Sequence, residues 1–544
     1  MLSTRLKYTA LTIQLLILTG CSTLGPDFNG IEPQPLPTSW DKQDVDQTTA
    51  SIEQWWKQFN DPVLNQLVEK ASEQNLDLEA AGLRIVQARM ALGITDSLRY
   101  PQVQMASGTL GYAYQNEHGF KQSDLSFDAG WELDVWGKYA RGIESAEAAL
   151  YATVASYHQI GISITAEVAR NYLNYRTFQE RMLLSERNIK VQERVVNITQ
   201  AQYDSGNVTE LDVQQAKTQL YSTQAAISSL KLGMSQTKNA LAVLLGVMPE
   251  EIPALLQNAS INQKVQSFDS GYDSANAKRV ASSYDANSLV PLAPQVNPEI
   301  NANLVLRRPD LQVAELQAHA QSAQIGVAET ALYPSFSLFG TIGINSTVQT
   351  GHSFSFSDSL MLAAGPSFSW NIFQYGRIKD NIRLEDAAFQ ETLTNYNKTL
   401  LSAVSEVTSA MEAYALYQQQ KELLFNAVSA SVRAYNISLI QYENGQITFE
   451  RLLNSVERMT RSEDSYAQVK GNLATQVVSL YKSLGGGWEA NTGKAFVSEK
   501  NIEQMKARTN WGKHLDGDMT LPPLQREQTN APEPSQVSTS SEVH

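Results

Sequence analysis

Two stretches of the chain alternate apolar and polar residues with the period of a β-strand, and both are doubled. From Pro334 to Gly376, Phe336, Leu338, Ile342 and Ile344 alternate with Ser335, Ser337, Thr341 and Asn345. The return run is longer: Leu360, Leu362, Ala364, Pro366, Phe368, Trp370 and Ile372 share one face. Between Pro101 and Gly137, Leu125, Phe127, Ala129, Trp131, Leu133 and Val135 oppose Ser126, Asp128, Gly130, Glu132 and Asp134. Period two with one apolar face predicts amphipathic strand pairs at 102–136 and 335–373. Four such strands are too few to close a barrel within one chain.

Elsewhere the period is helical. A helix is predicted from Asp61-Pro62 through Leu64, Leu67, Val68, Leu76, Leu83, Val86, Met90 and Leu92. Lys138 to Tyr203 holds no proline, and about 66 residues at ~1.5 Å each make a helix of roughly 100 Å. Asp204-Ser205-Gly206-Asn207 breaks it with turn chemistry. Val213, Leu220, Ile227, Met234 and Leu241 then recur every seven residues, which predicts a coiled-coil seam.

The whole arrangement recurs. Pro101 and Pro334 stand 233 apart, whereas Gly137 and Gly376, Tyr203 and Tyr442, Gly206 and Gly445, and Leu245-Gly246 and Leu484-Gly485 all stand 239 apart. The offset changes by six only inside the strand pair, so the second hairpin loop absorbs the difference. Arg377 to Tyr442 repeats the long helix. Past Gly445, Leu452, Val456, Met459, Glu463, Tyr466, Lys470, Leu473, Val477, Leu480 and Leu484 step by fours and threes, a heptad register with two charged members. The expected organisation is repeat 1 at 61–246 with its turn at 204–207, a connector at 247–305, and repeat 2 at 306–485 with its turn at 443–446. A polar tail at 486–544 is expected to pack equatorially or stay disordered, with poor order beyond Trp488.

Composition narrows the setting. The net charge of −14 and the lack of a Lys/Arg cluster argue against nucleic acid as a partner. Residues 1–20 carry Arg5 and Lys7 before an apolar run from Leu11 to Leu18, the layout of a secretory signal; losing them takes −14 to −16. The only cysteine, Cys21, ends Leu18-Thr19-Gly20-Cys21, which resembles a bacterial lipoprotein box, and Ser22 after it implies sorting to the outer membrane. Residues 21–60 then read as a lead from the anchor, rich in proline at Pro26, Pro33, Pro35 and Pro37. Beyond the signal no segment reaches 18 consecutive apolar residues, so no transmembrane helix is expected and any crossing must use strands. Histidines 118, 158, 319, 352, 514 and 544 lack metal-ligand spacing, and Gly493-Lys494 is not a phosphate loop. Neither an enzyme nor a cofactor or metal site is expected.

Together Leu18-Thr19-Gly20-Cys21, Gly25-Pro26-Asp27-Phe28, Trp56 with Phe59-Asn60-Asp61-Pro62, Trp131-Glu132-Leu133-Asp134-Val135-Trp136-Gly137, Arg307-Arg308-Pro309-Asp310-Leu311 and Leu484-Gly485-Gly486-Gly487-Trp488 carry a resemblance. The chain resembles the outer membrane efflux family of TolC-like channels, in its lipoprotein branch of drug and metal efflux. The resemblance implies a mainly α fold with membrane β: a homotrimer whose 12-stranded β-barrel continues as a long α-helical coiled-coil barrel. It implies an outer membrane location with the helices in the periplasm, lipidation at Cys21, a periplasmic adaptor (membrane fusion) protein and an inner-membrane transporter of the resistance-nodulation-division type. Small molecules such as drugs or metal ions would be the cargo.

The resemblance also places a constriction just after the Gly445 turn, where many relatives carry aspartates. Here the stretch is Thr448-Phe449-Glu450-Arg451-Leu452-Leu453-Asn454, with Asn454 at the place of an aspartate and Arg451 beside it. The expected gate is Asp212, Glu450, Arg451 and Asn454, with Arg451 paired to Asp212 or Glu450 between protomers in the closed state. Asp204, Gly206, Asn444 and Gly445 at the hairpin tips are expected to meet the adaptor. A type I protein-secretion duct and a structural periplasmic lipoprotein are the alternatives.

Overall fold

The computed structural model describes residues 23–32, 52–115, 118–268, 272–273, 278–279, 288–296, 303–349, 355–488 and 493–516. The signal at 1–20, Cys21 and the prolines at 33, 35 and 37 lie outside the described residues. Helices α1 (Pro62–Gln74) and α2 (Leu76–Asp96) open the first unit. Each starts on a side-chain cap: the Asp61 carboxylate accepts from the backbone N–H of Val63 and Leu64, and Asn75 accepts from Leu78. Strands β1 (Val103–Gln115) and β2 (His118–Leu133) follow, then α3 (Lys138–Asp204) and α4 (Glu210–Leu245). The second unit repeats the order as α5 (Pro309–Thr330), β3 (Ser335–Gln349), β4 (Leu360–Ser369), α6 (Arg377–Glu443) and α7 (Phe449–Ser483).

The four strands form one antiparallel sheet in the order β1-β2-β3-β4, so the two units meet edge to edge through β2 and β3. The register sets Leu125 opposite Ile344, Phe127 opposite Ile342, Trp131 opposite Leu338, Phe336 opposite Phe368 and Ile342 opposite Leu362. Paired residues share a face, so these side chains form one apolar surface. It is exposed: Leu110 is 87%, Leu362 75% and Phe368 72% accessible. The opposite face is polar and internally bonded, with Thr341 donating to Asp128, Asn345 donating to Asp124 at 3.1 Å and Ser126 donating to Asp128 at 2.9 Å. Strand β4 ends at Ser369, short of the expected 373, because its last partner on β3 is Ser335. Beyond it the Trp370 indole donates to the Leu332 carbonyl at 2.9 Å.

Helices α3 and α6 are 67 residues each, roughly 100 Å long. One stretch of α6 is apolar enough, by length and composition, to cross a bilayer, which the count of consecutive apolar residues did not pick out. Its apolar residues divide between a buried seam (Leu400, Ala403, Val407, Ala410) and an outward one (Leu401, Leu416). A helix apolar on two sides packs on two sides.

All ten members of the α7 heptad, Leu452 to Leu484, are buried, including its charged pair. Lys470 meets Glu180 of α3 at 2.5 Å, and Glu463 meets Arg187 of α3 at 3.7 Å. The Glu180 carboxylate also accepts from the Ser288 hydroxyl and the Leu289 and Val290 N–H groups, which straps the connector to the helices. The connector itself contains helices at Ile252–Leu255 and Ala259–Phe268.

Order does not stop at Trp488. Residues 493–516 include α8 (Glu499–Arg508) and bury Phe496, Val497 and Leu515 against the body. Arg89 of α2 lies 4.8 Å from the Phe496 ring, and Glu79 accepts from Ser498 and Asn501. A few anchoring apolar residues among polar ones suffice, a signal that bulk polarity hides.

Candidate functional site: the two hairpin ends

Both long helices end in the same turn. Ser205, Gly206 and Asn207 donate to Ala201, Tyr203 and Gln202; Asn444, Gly445 and Gln446 donate to Ile440, Tyr442 and Gln441. Gly206 and Gly445 take φ of 77° and 68° with nothing within 4 Å of an added Cβ, so backbone conformation alone asks for glycine there. Asp204, Gly206, Asn444 and Gly445 are all exposed on these turns.

The turns lie beside one another. Arg194 of α3 bridges to Glu443 of α6 at 3.2 Å, and Val191, Val195 and Ala216 share one apolar cluster with Tyr442, Phe449 and Leu452. Burial, and to a lesser degree the Asp212 carboxylate, raises the pKa of Tyr442.

The four expected gate residues do not behave as a set. Asp212 closes a capping box: Thr209 N–H and its hydroxyl both donate to the Asp212 carboxylate at 2.9 Å. Glu450, Arg451 and Asn454 are exposed at the start of α7, and Thr448 makes no side-chain cap there. Within one chain Arg451 forms an ion pair with neither Asp212 nor Glu450 among the described residues.

Three features went unread in the sequence. Arg458 and Arg461 continue the exposed line of Arg451 and Asn454 along α7. The Arg194–Glu443 bridge joins residues 249 apart. At the other end of the molecule, buried Arg141 grips the N-terminal segment through the carbonyls of Leu24 and Gly25 and the carboxylate of Asp27 at 2.6 Å. Phe28 stacks on His319 at 4.8 Å, and Thr23 packs on Gly137 at the foot of β2. The heptad and strand periods carry no trace of such long-range partners. Among the described residues no group of three or more His, Cys, Asp or Glu is placed to hold a metal ion.

An apolar outward face, a polar inner face, two unpaired sheet edges and a pair of 100 Å helical hairpins define a subunit of a membrane channel built from several chains. Comparison with known sequences makes this specific. A family model described as outer membrane efflux protein matches residues 67–247 and 302–486, one match per unit, and the chain belongs to that family. It is 26% identical to the pyoverdine export outer membrane protein OpmQ of Pseudomonas putida, over 88% of this chain and 97% of the relative. It is 25% identical to the probable outer membrane lipoprotein SilC of Salmonella typhimurium, over 87% and 97%. Among solved structures the outer-membrane channel OprN superposes with a TM-score of 0.71 at 29% identity, covering 86% of this chain and all of that one. The protein is thus an outer membrane efflux channel, with its strands in the membrane and its helices reaching into the periplasm.

Proposed function

We propose that three copies pool their strands into a 12-stranded barrel and their hairpins into one tube, the exit duct of a tripartite pump for small molecules. The four-stranded sheet with an apolar outer face carries this reading, since both of its edges need a partner in lipid. Two copies would make eight strands, whose interior side chains fill; three leave a channel. A periplasmic adaptor meets the exposed turns at Asp204, Gly206, Asn444 and Gly445, and a transporter of the resistance-nodulation-division type feeds the duct. The protein acts as a conduit rather than an enzyme. Acylation at Cys21 anchors the chain, supported by the Arg141 grip that holds residues 24–27 beside the foot of the sheet.

The aperture lies at the start of α7, where Glu450, Arg451 and Asn454 face outward from each chain. Arg451 and Glu450 of neighbouring copies pair in the closed state. Asp212 also serves the fold of its own hairpin, through the box with Thr209. The test is expression in a bacterium lacking its own efflux channel. Outer membrane trimers and restored drug resistance are expected with a matching adaptor and transporter; a monomer in the periplasmic fraction would defeat the proposal.

A further inference from the structure

Helix α7 carries two seams. Leu452, Val456, Met459, Glu463 and Tyr466 are buried against α3 and α6, while Arg451, Asn454, Arg458 and Arg461 are exposed on nearly the opposite side. The exposed residues step by three, four and three, so they form one line about 15 Å long. Among the described residues none of the three arginines forms an ion pair within the chain.

Helix stability does not explain this line. Arg451 occupies the first turn, where the helix dipole disfavours a cation. Arg458 and Arg461, three apart, repel one another. The first unit supplies an internal control at the offset of 239: its equivalents are Asp212, Gln215, Gln219 and Ser222, with no cation among them. Of the acidic residues of α7, Glu457 stands four residues before Arg461, on the same helix face, so Arg461 has an acidic neighbour. Glu450 and Glu457 precede Arg451 and Arg458 by one residue, about 100° round the helix. Glu457 and Arg461 both line a groove of about 490 Å³ between α3, α4 and α7, where Asp464 is bonded to Arg181.

We infer that the line Arg451–Asn454–Arg458–Arg461 makes the aperture a basic constriction, and that the duct favours solutes carrying negative charge, such as carboxylates. This rests on the aperture reading above. In the closed state Glu450 of a neighbouring copy covers Arg451; opening releases it, and nine arginines in a trimer then face the passing solute. Their combined field raises the local concentration of anions and lowers that of cations.

The test uses the full trimer with Asn454→Cys in planar bilayers. Cys21 is the chain's only other cysteine and remains acylated. An anionic and a cationic methanethiosulfonate reagent of similar size are added from the periplasmic side, each rate being normalised to that with free cysteine. The anionic reagent should react about tenfold faster. That ratio should fall towards one in an Arg451→Gln/Arg458→Gln/Arg461→Gln background, and also at about 1 M salt, where the screening length is ~3 Å. An equal or faster cationic rate overturns the inference while leaving the aperture reading intact. Full conductance with no change of current on modification by either reagent overturns both.

Discussion

The two long hairpins share length, turn geometry and capping glycines, yet they bury opposite arms: within one chain α3 and α7 form a buried spine, and α4 and α6 a more exposed wall. Helix α3 buries residues along its whole length, among them Arg176, Glu180 and Arg187, whereas α6 buries mainly the single seam it lays on α7. The charges follow that division. Glu180 and Arg187 are buried, but their equivalents at the offset of 239, Gln419 and Asn426, are exposed and neutral. Lys470 and Glu463 are buried, while Lys231 and Gln224 in the first unit are exposed. Duplication therefore preserved the backbone plan, and the position of each copy within the bundle decided which side chains could be charged and buried.

The Glu180–Lys470 pair offers the most severe test of this asymmetry. Removing one partner of a buried pair strands the other, at about 3–5 kcal/mol. Lys470→Met should lower the unfolding free energy from urea titration by that order, while Lys231→Met at the equivalent exposed site should change it by less than ~0.5 kcal/mol. Equal effects would break the comparison.

Next in size is a pH effect confined to the first unit. Burial against Trp488 holds His158 at about 4 instead of 6.5, and its equivalent is Asn397. Between those values the unfolded chain binds a proton that the folded chain does not. Stability is then full above the unfolded value and falls as the pH drops towards 4, by up to about 3 kcal/mol. Denaturation midpoints at pH 7 and pH 4.5 should show the loss, and His158→Gln should flatten it; an unchanged slope in that variant would assign it elsewhere.

The caps sharpen the contrast further. Asp212→Ala should cost about 1 kcal/mol by opening the box with Thr209, whereas Arg451→Ala should be neutral or slightly stabilising. The smallest effect is also the most specific. Arg451→Asp places a carboxylate three residues after Thr448, recreating the box of the first unit, and should add about 0.5 kcal/mol in the same denaturation assay. A loss instead would mean that the pair with Glu450 of a neighbouring copy outweighs the cap.

Much of the molecule was legible from periodicity. The strand faces, the 67-residue helices, both turns and the α7 seam each rest on local chemistry within a few residues, where period 2, period 3.6 and turn glycines are decisive. The residues proposed for the aperture were legible only in part. Arg451 and Asn454 stood out by position, but Arg458 and Arg461 became visible only when burial separated the outward line from the seam. Asp212 was singled out for the gate, and the structure gives it a local use that position alone did not reveal: at the third position of α4 it closes a capping box with Thr209.

By itself the sequence determined the duplicated plan, the length of the two long helices and the apolar faces of the strand pairs, because these depend on interactions between near neighbours. Tertiary structure alone decided that β2 joins β3 and that Glu463 and Lys470 meet guanidinium and carboxylate partners, respectively, on α3. It also decided that Arg141 holds the N-terminal segment and that Phe496 returns to α2. Each of these joins residues more than 100 positions apart, and what selects the partner is complementarity in the packed interior rather than any repeating pattern along the chain.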